Sequence, residues 1–203
     1  TFTPQNGTVT FDGTSGTIHI VSGGSSLYHV IFNDAGGSAT FEIESTLDVN
    51  GNLTITGGTL DAKSGEDNNI TLAGNWSNSD IFTARGGTVT FDGTNQSITG
   101  STTFNNLTKN EDGDNATNNT WTFAAGSTTT VAGTWTVNGT DSSDKVLIVS
   151  SSPGTRWNIS SVGTPALDNM TVTDSNNTGT VINEYADNTV TDGGNNLNWG
   201  FST

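Results

Sequence analysis

The eight residues Gly7–Thr14 (GTVTFDGT) occur again, unchanged, at Gly87–Thr94, and this repetition indicates the fold. The similarity extends further, because Thr40-Phe41 returns as Thr122-Phe123 with an offset of 82 residues. A repeated unit usually buries its apolar face against its neighbours instead of folding alone. The sequence therefore predicts an elongated stack of similar units, and not a globular protein built around one cleft.

The copied octapeptide also shows which secondary structure is stacked. Val9 and Phe11 alternate with Thr8 and Thr10, and such a period of two, with β-branched and aromatic residues, is typical of a half-buried strand. Seventeen runs along the chain have the pattern of strands, and turn signals such as Asn50-Gly51 separate them. The longest predicted strand covers 102–108. No stretch has a helical apolar period, so we expect an all-β fold.

Two architectures fit many short strands. One is a β-solenoid, a stack of short strands built from repeats of about 80 residues, and the other is a β-sandwich or jelly roll. The self-copy favours the solenoid, since stacking places like residues above like, and Thr and Asn side chains can form ladders along stacked strands. We expect residues 1–81 to form a first repeat unit, 82–165 a second, and 166–203 a divergent partial repeat that serves as a C-terminal cap or assembly segment.

Composition excludes several classes of function. Thr, Asn, Ser and Gly make up 110 of the 203 residues, and the net charge is −15, with only five Lys and Arg residues. So few cations cannot neutralise a phosphate backbone, so we expect no nucleic-acid partner. The chain has no cysteine, which excludes disulfides and cysteine-ligated metals, and no apolar window long enough for membrane insertion.

Residues typical of catalysis are few. The two histidines, His19 and His29, occupy strand-like segments, and His19 should lie on the outer face of its strand. Glu42 and Glu44 share one face of a strand, where paired carboxylates could in principle cleave glycosides, but nothing distinguishes them from solvated charges. The basic groups that a polysaccharide lyase needs are scattered along the chain. We therefore expect no enzymatic activity.

An acidic loop is the one candidate metal site. Glu111, Asp112 and Asp114 surround a glycine turn, and Ca²⁺ prefers several oxygen ligands from such loops. The loop does not match the twelve-residue EF-hand pattern, so a solvated acidic turn is the favoured interpretation. No other cofactor is expected.

Asn-x-Ser/Thr sequences are frequent, and if the protein is secreted, exposed ones could carry glycans. The candidate glycosylation sites are Asn6, Asn75, Asn95, Asn115, Asn118, Asn138 and Asn176.

The two ends of the chain suggest self-assembly. Asn75 precedes Phe82 by seven residues, and Asn198 would precede Phe2 by the same distance if one chain followed another. The assembly residues predicted on this ground are Thr1, Phe2, Thr3, Asn198, Trp199 and Phe201. Head-to-tail contacts of this kind grow open fibres when rotation does not close a ring. The alternative is that the segment belongs to a longer tandem array.

Several segments carry a resemblance to a repeat style of large prokaryotic surface and secreted proteins. They are Asn52-Leu53-Thr54-Ile55, Gly58-Thr59-Leu60, Gly74-Asn75-Trp76, Gly86–Thr94, Ile98 and Thr103-Phe104-Asn105-Asn106-Leu107-Thr108. The resemblance covers residues 1–140 well and implies a parallel β-helix-like solenoid in the stalk of an adhesin or another extracellular fibre. It indicates an architecture and no ligand.

Together these features predict an extracellular, cell-surface structural protein, a subunit or segment of a filament whose main partner is itself. The stacked core should contain Phe11, Phe41, Phe91, Phe123, Trp135 and Trp199. The alternative is a carbohydrate-binding or adhesive module that recognises surface glycans, for which exposed aromatic side chains in a groove would be the sign. Ice binding through Thr-x-Thr faces such as Thr88-Val89-Thr90, or a β-helix enzyme acting on polysaccharides, ranks below both.

Overall fold

The structure, a computed structural model, describes residues 5–111, 117–184 and 189–201. Those segments contain strands and turns but no helix. The strands are β1 (Thr8–Asp12), β2 (Gly16–Ile20), β3 (His29–Asn33), β4 (Ala39–Ile43), β5 (Leu47–Val49), β6 (Leu53–Ile55), β7 (Thr59–Asp61), β8 (Ile70–Leu72), β9 (Trp76–Asn78), β10 (Ile81–Thr83), β11 (Thr88–Phe91), β12 (Gln96–Thr99), β13 (Thr102–Phe104), β14 (Asn106–Asn110), β15 (Asn119–Phe123), β16 (Thr128–Val131), β17 (Trp135–Asn138), β18 (Val146–Ser150), β19 (Trp157–Ser161), β20 (Ala166–Asp168), β21 (Met170–Val172), β22 (Ser175–Asn177), β23 (Ile182–Glu184), β24 (Val190–Asp192) and β25 (Trp199–Phe201).

The strands wind into a three-sided parallel β-solenoid of about eight turns, which confirms the predicted fold class. Face A is one sheet of nine strands, in the order β1, β3, β6, β9, β12, β15, β18, β21 and β24. Face B consists of two sheets of four strands, β2, β4, β7 and β10 followed by β13, β16, β19 and β22. Face C is the sheet of β5, β8, β11, β14, β17 and β20, and β23 pairs separately with β25.

The stacking step is much shorter than the sequence repeat. Along face A it measures 20 residues between Met170 and Val190 and 27 residues between Trp121 and Ile148. The two copies of the octapeptide consequently lie on different faces, the first in β1 on face A and the second in β11 on face C. The same strand sequence can occupy any of the three faces, because each face requires the same alternation of buried and exposed residues. The boundaries proposed at 81/82 and 165/166 stay a prediction.

Aromatic stacking fills the centre. Phe91 contacts Trp121 at 5.2 Å between ring centroids, and Phe123 stacks on Trp157 at 4.1 Å with an interplanar angle of 18°. Of the six predicted core residues, Phe41, Phe91, Phe123 and Trp135 are fully buried, while Phe11 and Trp199 are only partly buried. The difference has a physical reason, since among the described residues the strands that carry these side chains, β1 and β25, each pair with one neighbouring strand only.

Asparagine side chains connect successive turns. The Nδ1 atom of His29 accepts a hydrogen bond from the backbone N–H of Asn52 (2.9 Å), and the Oδ1 atom of Asn52 accepts one from the N–H of Asn75 (2.9 Å). Asn75 in turn accepts the N–H of Ser97 at 2.7 Å. Each such side chain satisfies a backbone donor at a corner where no strand partner is available. Asparagine at such corners therefore stabilises the stacking of one turn on the next.

A lysine is among the charged residues that lie inside the solenoid, together with Asp34, Asp61, Asp144 and Asp174. Lys109 is fully buried, and its Nζ atom donates to the carbonyl oxygen of Gly93 and to the Oε1 atom of Gln96 (2.9 Å). The amide of Gln96 donates to the carbonyl oxygens of Leu72 (2.8 Å) and Gly74 (2.7 Å). A buried charge is tolerated only with such partners, so this polar network ties three turns together.

Candidate functional site

The ends of the solenoid are the first candidate site, because strand edges are open there. Among the described residues, β1 at one end of face A pairs with β3 alone, and β24 at the other end pairs with β21 alone. A terminal strand leaves a row of N–H and C=O groups available to another chain. Both ends of the sheet therefore have the capacity to accept a further parallel strand.

The end formed by β1 and β2 carries apolar side chains that are open to solvent. Val9, Phe11 and Ile18 pack against the core but stay partly exposed, and Val21 is 70 % exposed. A depression of about 340 Å³ lies beside them, lined by Phe11, Ile20, Val21 and Leu27 together with His19, Ser22 and Ser25. An exposed apolar patch of this kind is typical of an interaction site.

The opposite end carries a second group of exposed apolar side chains. Leu197 is 48 % exposed and forms an isolated parallel β-bridge with Asn176 of β22, the last strand of face B. Val181 is 55 % exposed. Trp199 stacks on Phe201, with 5.8 Å between ring centroids and an interplanar angle of 4°, and meets Trp135 edge-on at 5.9 Å.

Three of the six predicted assembly residues are therefore at this end. Trp199 and Phe201 are half-buried, and the Nδ2 atom of Asn198 donates to the carbonyl oxygen of Asn177 at 2.9 Å. Thr1, Phe2 and Thr3 lie outside the described residues, so their part in an interface stays a prediction.

Face C presents an ordered surface of hydroxyl and amide groups, which we term the threonine face. Thr71, Thr90, Thr108 and Thr136 occupy matching positions on four consecutive strands. A parallel row two residues earlier in the sequence consists of Asn69, Thr88, Asn106 and Thr134, of which Asn69 and Thr134 directly precede their strands. The N–H groups of Thr88 and Thr134 donate to the Oδ1 atoms of Asn69 (2.8 Å) and Asn106 (2.9 Å), which holds these amides along the row.

A charged cluster lies at the end of face B that begins with β2 and β4, and the sequence analysis did not predict it. His19 pairs in register with Glu42, and the Nδ1 atom of His19 lies 3.2 Å from the Oε1 atom of Glu42 and also contacts Glu44. Lys63 contacts Glu44 and lies 2.7 Å from Glu66. Hydrogen bonds from the Lys63 ammonium group, and to a lesser extent from the His19 ring, lower the pKa of Glu44. Glu44 and Glu66 in turn raise the pKa of Lys63.

A second ion pair lies beside this cluster. The Nε and Nη2 atoms of Arg85 donate to the two carboxylate oxygens of Asp61 at 2.8 and 2.6 Å. This fork holds the pKa of Asp61 below its ordinary value, although burial of the carboxylate acts in the opposite direction. Lys63 and Arg85 thus each meet a carboxylate that lies on an earlier turn.

The structure describes only part of the predicted calcium loop. Glu111 lies at its start, where its Oε1 accepts a hydrogen bond from Asn119 (2.9 Å) and its Oε2 one from Thr140 (2.7 Å). Asp112 and Asp114 lie outside the described residues. The Ca²⁺ site stays a prediction.

The candidate glycosylation sites differ in their surroundings. Asn6 and Asn138 are exposed, and the Nδ2 atom of Asn138 donates to Asn110 at 3.0 Å. The Oδ1 atoms of Asn75, Asn95 and Asn118 accept backbone N–H groups of a neighbouring turn at 2.7, 2.9 and 2.7 Å. Asn176 donates to Asn158 at 2.9 Å, and Asn115 lies outside the described residues. Modification at any of them stays a prediction.

Comparison of the chain with protein-family models, with curated proteins and with solved structures gives no match. Within the described segments, no helix is long and apolar enough to cross a membrane.

Proposed function

We propose that the chain is an extracellular structural protein of the cell surface, which assembles head-to-tail through the two ends of its solenoid. The open strand edges of face A carry this proposal. All strands of that face are parallel, so the β24 edge of one copy meets the β1 edge of the next without any reversal of chain direction. An interface between two unlike surfaces of this kind continues into an open filament.

The distribution of apolar side chains also indicates that the partner at each end is a second copy of the chain. Val21 at one end and Leu197 at the other are both exposed, and the half-buried Phe11 and Trp199 need neighbours to complete their burial. Copies with a net charge of −15 repel one another, so we expect assembly to increase with salt. Secretion, attachment to a prokaryotic surface, an adhesin-like stalk and glycosylation belong to this proposal through the sequence resemblance and the Asn-x-Ser/Thr sites.

The experiment compares single aspartate substitutions by light scattering and negative-stain electron microscopy. Val21→Asp and Leu197→Asp should each abolish filaments, because each places a charge on one end. Ile81→Asp is the matched control, since Ile81 is 53 % exposed but belongs to β10, far along the stack from either end.

Mixing the two blocked variants sharpens the test. Each variant retains one intact end, so an equimolar mixture of Val21→Asp and Leu197→Asp should form dimers and nothing longer. A wild-type protein that stays monomeric at high concentration and high salt would refute the proposal, as would equal loss of filaments in Ile81→Asp.

The threonine face supports a second candidate function, ice binding. Its rows repeat about every 4.8 Å across the strands and about every 6.6 Å along them, a regular spacing for ordered water. Thermal hysteresis of the wild type should disappear in Thr108→Lys and persist in Thr54→Lys, where Thr54 lies on face A. Hysteresis unaffected by Thr108→Lys would exclude this role for the face.

Carbohydrate recognition has less support in the described part of the chain. Trp76, Trp121, Trp135 and Trp157 are fully buried, and the exposed large apolar side chains there are aliphatic. Sugar rings usually stack on exposed aromatic rings, so this function lacks a platform in the described segments.

A further inference from the structure

The charged cluster on face B contains a convergent set of metal-ligand atoms. Glu42 lies in β4 and Glu44 follows that strand directly, and both reach the Nδ1 atom of His19. Parallel pairing of β2 with β4 places His19 directly beside Glu42. One ligand atom from each of the three side chains lies within 4.8 Å of the others. Donor atoms around a tetrahedral zinc ion are about 3.3–3.5 Å apart, so small side-chain rotations suffice to enclose an ion.

We infer that His19, Glu42 and Glu44 form a binding site for a divalent transition-metal ion such as Zn²⁺. An imidazole nitrogen with two carboxylates is a donor set for zinc, whereas Ca²⁺ and Mg²⁺ take oxygen ligands almost exclusively. The side chain of His19 is 60 % exposed and those of the glutamates are 21 and 18 % exposed, so an ion can enter from solvent.

Lys63 supports this arrangement from the next turn. Its ammonium group contacts the Oε2 atom of Glu44, which leaves the Oε1 atom directed at His19. Partners of this kind orient metal ligands and are part of a working site. Lys63 and the two glutamates together leave one net negative charge, to which the ion adds two positive ones.

The position of the site indicates how metal binding would affect stability. His19 belongs to β2, the end strand of face B, whereas Glu42 lies in β4 on the following turn and Glu44 follows directly after that strand. An ion held by all three cross-links the terminal turn to the second one. Binding therefore stabilises the folded chain by mass action, and this effect does not depend on filament formation.

The experiment titrates the metal-free full chain with ZnCl₂ by calorimetry and with CoCl₂ by visible absorption, which reports tetrahedral coordination. We expect one site per chain, with Zn²⁺ affinity reduced at least ~10-fold in His19→Ala and in Glu42→Gln. Zn²⁺ should raise the thermal unfolding temperature of the wild type and leave that of His19→Ala unchanged. Circular dichroism of the variants, all at exposed or half-exposed positions, verifies that they fold.

Two controls separate this site from others. His29→Ala removes the other histidine, and Glu111→Gln removes a carboxylate of the predicted Ca²⁺ loop, so both should retain the wild-type affinity. Equal affinity of wild type and His19→Ala would overturn the inference, as would equally tight binding of Ca²⁺ or equal loss in either control. Since these readouts measure metal binding within one chain, their failure would leave head-to-tail assembly untouched.

Discussion

Replacing Gly100 by alanine should destabilise the solenoid far more than replacing Gly126, although both glycines have the same local conformation. They lie at equivalent corners of neighbouring turns, Gly100 between β12 and β13 and Gly126 between β15 and β16. Their φ angles are +82° and +74°. A Cβ atom at Gly100 would lie 1.8 Å from the carbonyl oxygen of Asn78, whereas a Cβ atom at Gly126 would meet nothing within 4 Å.

The difference between the two positions can be estimated from these contacts. The left-handed conformation costs any alanine about 1–2 kcal/mol, and this cost is common to both variants. Displacing the backbone at Asn78 adds an overpacking cost of about 1–3 kcal/mol. We expect a loss of about 1–2 kcal/mol for Gly126→Ala and about 2–5 kcal/mol for Gly100→Ala.

Urea denaturation followed by tryptophan fluorescence measures both values, and unchanged m-values verify that the unfolding mechanism is the same. Stacked repeats unfold cooperatively only while neighbouring turns stay coupled, so a reduced m-value would indicate local unfolding at the substituted corner. Equal free-energy losses in the two variants would refute the reasoning, because the strained φ angle alone would then explain both.

Three further predictions concern the core and the buried carboxylates. Trp157→Ala should cost about 3–5 kcal/mol in urea denaturation, since the ring is fully buried. Hydrogen bonds from backbone N–H groups, above all that of Ala39, lower the pKa of Asp34. The ionised carboxylate therefore stabilises the fold fully above the unfolded-state pKa of about 3.9, and this contribution is lost as the pH falls through the folded-state pKa. Acid titration should therefore show less loss of stability in Asp34→Asn than in wild type. Arg85→Met should cost about 1–3 kcal/mol and more than the double variant with Asp61→Asn, because it leaves the buried carboxylate of Asp61 without its charged partner. A double-mutant cycle without coupling would contradict this.

The sequence alone was sufficient to predict an all-β stack. Strands such as Thr8–Asp12 and His29–Asn33 are long enough to show alternation, and their glycine-rich flanks mark the corners. Three-residue strands such as Thr59–Asp61 are too short to show it, so several were missed. The predicted run over 102–108 is in fact two strands on different faces, separated by a corner at Asn105.

The sites were much less visible in the sequence than the fold. His19 and Glu44 are 25 residues apart, and only the register between β2 and β4 brings them together. The threonine face likewise draws on residues 69–136, and the inward orientation of Lys109 follows from its place in β14. Alternation, turn chemistry and charge are local properties and can be read residue by residue. The face on which a strand lies depends on corner lengths, which vary from turn to turn and are determined by stacking against the turn before, so only the tertiary structure decides it.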